Sequence, residues 1–116
     1  MTPEVRWIDP NDIPLAEWPT WTPAGPEEEL QWFHLGIGPS DDPGAELFQV
    51  AVATPKGLLH GRRLGKDRAL VVPRFEPAAV ERAIRDFVSA CDAPTWAGIV
   101  DLLRTRMRWE YEGWRD

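Results

Sequence analysis

One cysteine, one tyrosine and two histidines are all that the 116 residues hold of those types. A lone Cys91 excludes an intramolecular disulfide. Neither His34 nor His60 has a second His or Cys at metal-ligand spacing, so no zinc site and no cofactor is expected. No apolar run approaches the ~20 residues that a bilayer-spanning helix requires, which leaves no membrane partner. The opening residues lack the basic start, apolar stretch and small-residue cleavage site of a secretory signal, and the expected residence is the cytoplasm. A phosphate-cradling loop is missing too. Gly61, Gly65 and Lys66 have the right composition, but Asp67 stands where that loop needs Ser or Thr.

What is abundant is indole and proline, with seven Trp and twelve Pro in a chain whose apolar content of 43% suffices for a core. A single domain spanning residues 1–116 is expected. The net charge is −6, and it is unevenly placed. Residues 1–60 carry ten Asp and Glu against Arg6 and Lys56, while the remainder holds nine acids against eleven bases. An acidic half repels nucleic acid and attracts a basic protein surface.

Alternation and periodicity order the chain. Val5 to Ile8 reads as a short strand, and residues 10–29, with five prolines and Trp18 and Trp21, as a loop pinned to the body by its indoles. Leu30 to Gly38 is apolar on both faces and is expected to be a central strand, with His34 a satisfied core histidine. After the turn-forming GPSDDPG comes a second strand, with Phe48, Val50 and Val52 on one face, paired as a hairpin with the first. Residues 56–68 read as a long connection, and Leu70, Val71 and Val72 as a strand that Pro73 sends to an edge. Two helices follow. Val80, Ile84, Val88 and Cys91 mark the buried stripe of the first; Trp96, Ile99, Val100, Leu103 and Met107 mark that of the second, which starts at Pro94 and Thr95. Strands first and helices second predict an α+β domain: a mostly antiparallel sheet of about four strands, covered on one face by two C-terminal antiparallel helices. Trp96, Trp109 and Trp114 are expected as clamps, Trp96 buried on the helix stripe, the other two fastening the C-terminal segment.

Catalytic constellations are sparse. Glu110 and Glu112 would share a face of an extended strand, and with a histidine they are the one enzyme reading available. The basic run from Arg62 to Arg68 is the one nucleic-acid reading, opposed by the acidic half and by the lack of aromatics beside it.

ELFQVAVATPKGL, with its Thr54-Pro55-Lys56 turn after a strand, and then the run from ALVVPRF through the Thr95-Trp96 helix start to the terminal Trp109-Glu110-aromatic sequence, resemble the immunity protein 8 family. Its members are antidotes encoded beside the toxins of bacterial polymorphic toxin systems. The resemblance implies an α+β domain that binds and neutralises a cognate toxin and catalyses nothing. Gly57 stands where the pattern leads one to expect a bulkier residue. For such an antidote the expected contacts are Glu27, Glu28 and Glu29 at one end of the central strand and Asp41 and Asp42 at the other, roughly 30 Å apart at about 3.3 Å per residue. Acids so spaced can bracket the basic cleft of a nuclease toxin.

Overall fold

The structure is a computed structural model that describes residues 1–60 and 68–111. Strands β1 (Pro3–Pro10), β2 (Leu30–Pro39) and β3 (Glu46–Ala53) form an antiparallel run, extended by β4 (Ala69–Val71) in the order β1-β2-β3-β4. Directly opposed pairs such as Phe33 with Val50 and Leu35 with Phe48 put Phe33, Leu35, Ile37, Phe48, Val50 and Val52 on one face. All six are fully buried. Helices α2 (Pro77–Ala90) and α3 (Trp96–Leu103) supply Val80, Ile84, Val88, Ile99, Val100 and Leu103 to the same core. The α+β architecture is therefore as the sequence indicates, and β2 lies between β1 and β3 as its two-sided apolar pattern requires.

Three features differ from the expectation. Residues 56–68 do not read through as a loop: helix α1 (Pro55–His60) opens them. Thr54 is buried and its Oγ1 accepts the Gly57 N–H at 3.1 Å, so Thr54-Pro55-Lys56 is a capped helix start with Pro in the first turn, not a plain turn. Because a crossover separates them, β4 pairs with β3 in parallel, through Val52 and Leu70. The last helix also ends earlier than its apolar spacing suggests. It stops at Leu103, and after a turn Arg108–Trp109 forms β5, antiparallel to β3.

The same Thr54 hydroxyl accepts the Glu29 N–H at 3.1 Å, tying the entry of β2 to the start of α1. The two segments meet so closely that a Cβ on Gly57 would lie 2.0 Å from the Glu29 carbonyl oxygen. A bulkier residue at 57 is excluded by this contact, which explains the departure noted in the sequence. Gly57→Ala should destabilise by ~1–3 kcal/mol, the usual cost of overpacking, because the atom in the way is backbone. Urea denaturation of the variant checks it; a midpoint unchanged from the parent would place the two segments further apart.

The Pro-rich loop is pinned as expected. Trp18, 2% exposed, opens a short 3-10 turn (Trp18–Thr20) and sets its ring edge-on to Phe33 at 5.2 Å, while its Nε1 donates to Glu81 Oε2 on α2 at 2.8 Å. Trp21 meets Phe75 edge-on at 5.8 Å. Cys91 is buried, its Sγ donating to the Phe87 carbonyl at 3.2 Å, and burial pushes the thiol above its ordinary pKa. Its thiolate fraction at pH 8 is therefore below that of a free cysteine. Alkylation by iodoacetamide should be slower than for cysteine in solution and should catch up only on unfolding.

Candidate functional site

The acidic residues singled out in the sequence sit at the two ends of β2 and are not brought together. At the first end Glu27 and Glu28 are exposed, and Glu29 is half-buried, accepting the Gln31 side-chain amide at 2.8 Å. That end is partly balanced, since Arg74 stands 3.8 Å from Glu27 and Lys56 lines the same shallow depression. At the second end the chain leaves β2 through a tight turn, in which the Asp42 carboxylate accepts the Gly44 N–H at 2.7 Å. Arg6, at the register shift in β1, holds this turn by donating to the carbonyls of Pro39 and Asp42. Its guanidinium also pairs with Glu4 at 2.6 Å. Asp41 and Asp42 themselves are exposed on a turn that is fixed.

Beyond that turn lies a group that sequence reading does not find. Glu46, the first residue of β3, accepts two indole N–H groups on one oxygen: Trp96 at 3.1 Å and Trp109 at 2.8 Å. The C-terminal indoles thus fasten α3 and β5 to the start of β3 through a single carboxylate. Trp96 and Trp109 both pack against the core and both are only half-buried, where Trp96 is expected to be buried. As the first residue of α3, Trp96 keeps part of its ring in water while its N–H bonds Glu46. Trp96, Glu46, Asp42, Tyr111 and Met1 are among the residues that line one cleft of about 530 Å³. Tyr111 is 42% exposed and stacks edge-on to Trp109 at 5.1 Å. The adjacent Glu110 carboxylate, by its charge first, pushes the Tyr111 phenol above its ordinary pKa, and Glu46 adds to the effect. Nothing in the spacing of residues 42, 46, 96 and 111 could have signalled the cleft, because three separate connections bring them together.

The residues of the enzyme reading are placed otherwise. The Glu110 carboxylate accepts the Leu47 N–H, and the Glu110 N–H donates to the Leu47 carbonyl at 2.9 Å, so this side chain completes the strand edge. His34 is not in the core. It projects from the face of the sheet opposite the helices, half-buried, with Gln49 Nε2 2.8 Å from its Nε2. The alternation that buries Phe33 and Leu35 turns His34 to the other side, beside Trp32, over whose ring the Arg108 guanidinium lies at 5.0 Å. Among the described residues no three His, Cys, Asp or Glu are grouped to hold a metal ion. Among them too, no helix is long and apolar enough to cross a membrane. Glu112, Trp114, the side chain of His60 and the basic run from 61 to 67 lie outside the described residues.

The model of the family described as Immunity protein 8 matches residues 4–114, nearly the whole chain. The chain belongs to the immunity protein 8 family. That membership makes it an immunity protein against a toxin, in accord with the resemblance carried by Thr54-Pro55-Lys56 and Thr95-Trp96. The matched span runs from the second residue of β1 through β5, and takes in both acidic ends of β2 and Glu46. Comparison with curated proteins gives no match. Comparison with solved structures gives none either.

Proposed function

We propose that this immunity protein acts in the cytoplasm by binding the toxin domain encoded beside it and covering that domain's working surface, with no reaction of its own. The observation that carries the reading is the family match over residues 4–114. Charge adds the means. Ten acids against two bases in residues 1–60 give a field that draws in a basic partner, and the acids at the ends of β2 stand on fixed strand termini. A nuclease toxin, whose cleft must be basic to hold phosphates, is the partner that this charge suits. Glu110 supports a binding role over an enzymatic one, since its carboxylate is occupied by backbone.

The experiment is co-expression in a bacterial host with the C-terminal domain encoded in the adjoining reading frame. Cells producing the toxin domain alone should die and cells producing both should grow. Death in both cases, with the immunity protein soluble and abundant, would refute the pairing. In the same assay His34→Ala, His60→Ala and Cys91→Ala should each protect as the parent does wherever they fold. Loss of protection by a folded histidine variant would point to chemistry.

A further inference from the structure

We propose that the cleft between the 39–44 turn and the start of α3 is the receptor for one arginine side chain of the toxin domain. The proposal rests on the immunity reading above and assigns it an anchoring point.

The cleft has the chemistry of a guanidinium site. Two aromatic residues, Trp96 and Tyr111, and two acidic ones, Asp42 and Glu46, line it beside Met1 and four small residues of the turn. Rings offer a guanidinium the negative face of their π-system, and carboxylates accept its N–H groups in a planar fork, so the two wall types suit arginine better than the compact, strongly hydrated lysine ammonium.

Within the described residues, Glu46, Asp42 and Trp96 keep capacity for such a partner. Both indole bonds go to Oε1 of Glu46, which leaves Oε2 without a hydrogen bond, and no basic group stands within ion-pair distance of the Glu46 or Asp42 carboxylate. Arg6 approaches Asp42 only at its backbone carbonyl. The Trp96 ring has neither an aromatic nor a cationic partner there, whereas Trp32 and Trp109 each carry a guanidinium, from Arg108 at 5.0 Å and Arg104 at 5.8 Å. The chain thus twice uses the contact that Trp96 leaves open.

Rigidity favours the site as well. Two indoles fix the Glu46 carboxylate, and the Gly44 N–H and Arg6 fix the turn that carries Asp42. An arriving guanidinium has little left to order, which lowers the entropic cost of binding. Trp and Arg also dominate the residues on which interfaces depend most.

The test uses the full chain and the catalytically inactivated toxin domain of the adjoining frame, with affinity measured by calorimetry. Glu46→Gln removes the charge and keeps an oxygen for both indoles; Asp42→Asn likewise keeps the acceptor for Gly44. With melting temperatures at the parental value, each should weaken binding ~30-fold or more, the usual loss when one partner of a desolvated charge pair is removed. Asp86→Asn, exposed on α2 and outside both acidic ends of β2, should change affinity by no more than ~3-fold, as charges away from the contact do. An arginine-to-alanine scan of the toxin domain should find one variant that loses a similar factor and loses little more against Glu46→Gln, the signature of a direct pair. Parental affinity in both Glu46→Gln and Asp42→Asn, with the parent binding tightly, overturns the cleft and leaves the immunity reading standing. Failure of the parent itself to bind the toxin domain overturns both.

Discussion

Trp18→Ala is expected to lose ~3–5 kcal/mol of folding stability, the range for deletion of a buried large aromatic. The side chain has almost no exposure, and its removal empties the space between Phe33 on β2 and Phe75 after β4, both themselves fully buried. It also breaks the indole bond to Glu81 that ties the loop to α2, though Glu81 keeps Arg85 at 4.0 Å and access to water. Trp18 is the most deeply buried aromatic of the Pro-rich segment. Without it residues 11–29 keep Ile13 in the core and Trp21 on Phe75, but Trp21 loses the ring beside it at 6.3 Å. Trp96→Ala should cost less, ~1–3 kcal/mol, because its ring is only half-buried and Glu46 keeps the second indole of Trp109. Guanidinium unfolding followed by far-UV circular dichroism compares the two. Equal losses, or a larger loss for Trp96, would contradict the roles assigned to them.

Charge reversal at both ends of β2 should slow association with the toxin domain markedly. The double variant Glu28→Lys with Asp42→Lys shifts the net charge of −6 by four units and turns both acidic ends toward neutral or basic. Electrostatic steering raises association rates by ~10- to 1,000-fold, so the variant should associate with the toxin domain at least ~10-fold more slowly at low salt. The gap should narrow as added salt shortens the Debye length to ~8 Å at physiological ionic strength. Glu28→Lys alone isolates steering, since Asp42 also lines the cleft and accepts the Gly44 N–H. Stopped-flow association at several ionic strengths reads the effect. A folded double variant with parental rates would move the contact to α2 and α3 or to the face bearing Trp7 and Trp32.

The parts of this fold that the sequence discloses are those governed by local periodicity. Phe33, Leu35, Ile37 and Phe48, Val50, Val52 alternate cleanly because one face of β2 and β3 is buried, and Val80, Ile84 and Val88 recur at helical spacing because α2 lies on that face. Helix α1 was hidden by its glycine. Gly57 weakens the helical signal, yet it is there because the Glu29 carbonyl leaves no room for a Cβ, a contact between segments that spacing does not encode. Met107 misleads in the other direction: it is buried after α3 has ended, so its spacing extends the apolar stripe without extending the helix. The apolar neighbours of His34 and Trp96 suggest the core for both, while strand alternation puts His34 on the other face and Trp96 stays half-buried with its N–H on Glu46. Of the candidate site, the acids at the ends of β2 were legible from composition. Glu46 was not, because its importance comes from two tryptophans that approach it from α3 and β5.

The central claim is that one copy of this chain disables one toxin domain by occupying it. Titrating the protein into a fixed concentration of active toxin domain, well above the dissociation constant, tests this directly. Residual toxin activity should fall linearly and reach zero at one equivalent. Loss of activity that continues with time at a small fraction of an equivalent would mean a catalytic antidote, and full activity at a large excess would mean that this surface does not cover the toxin.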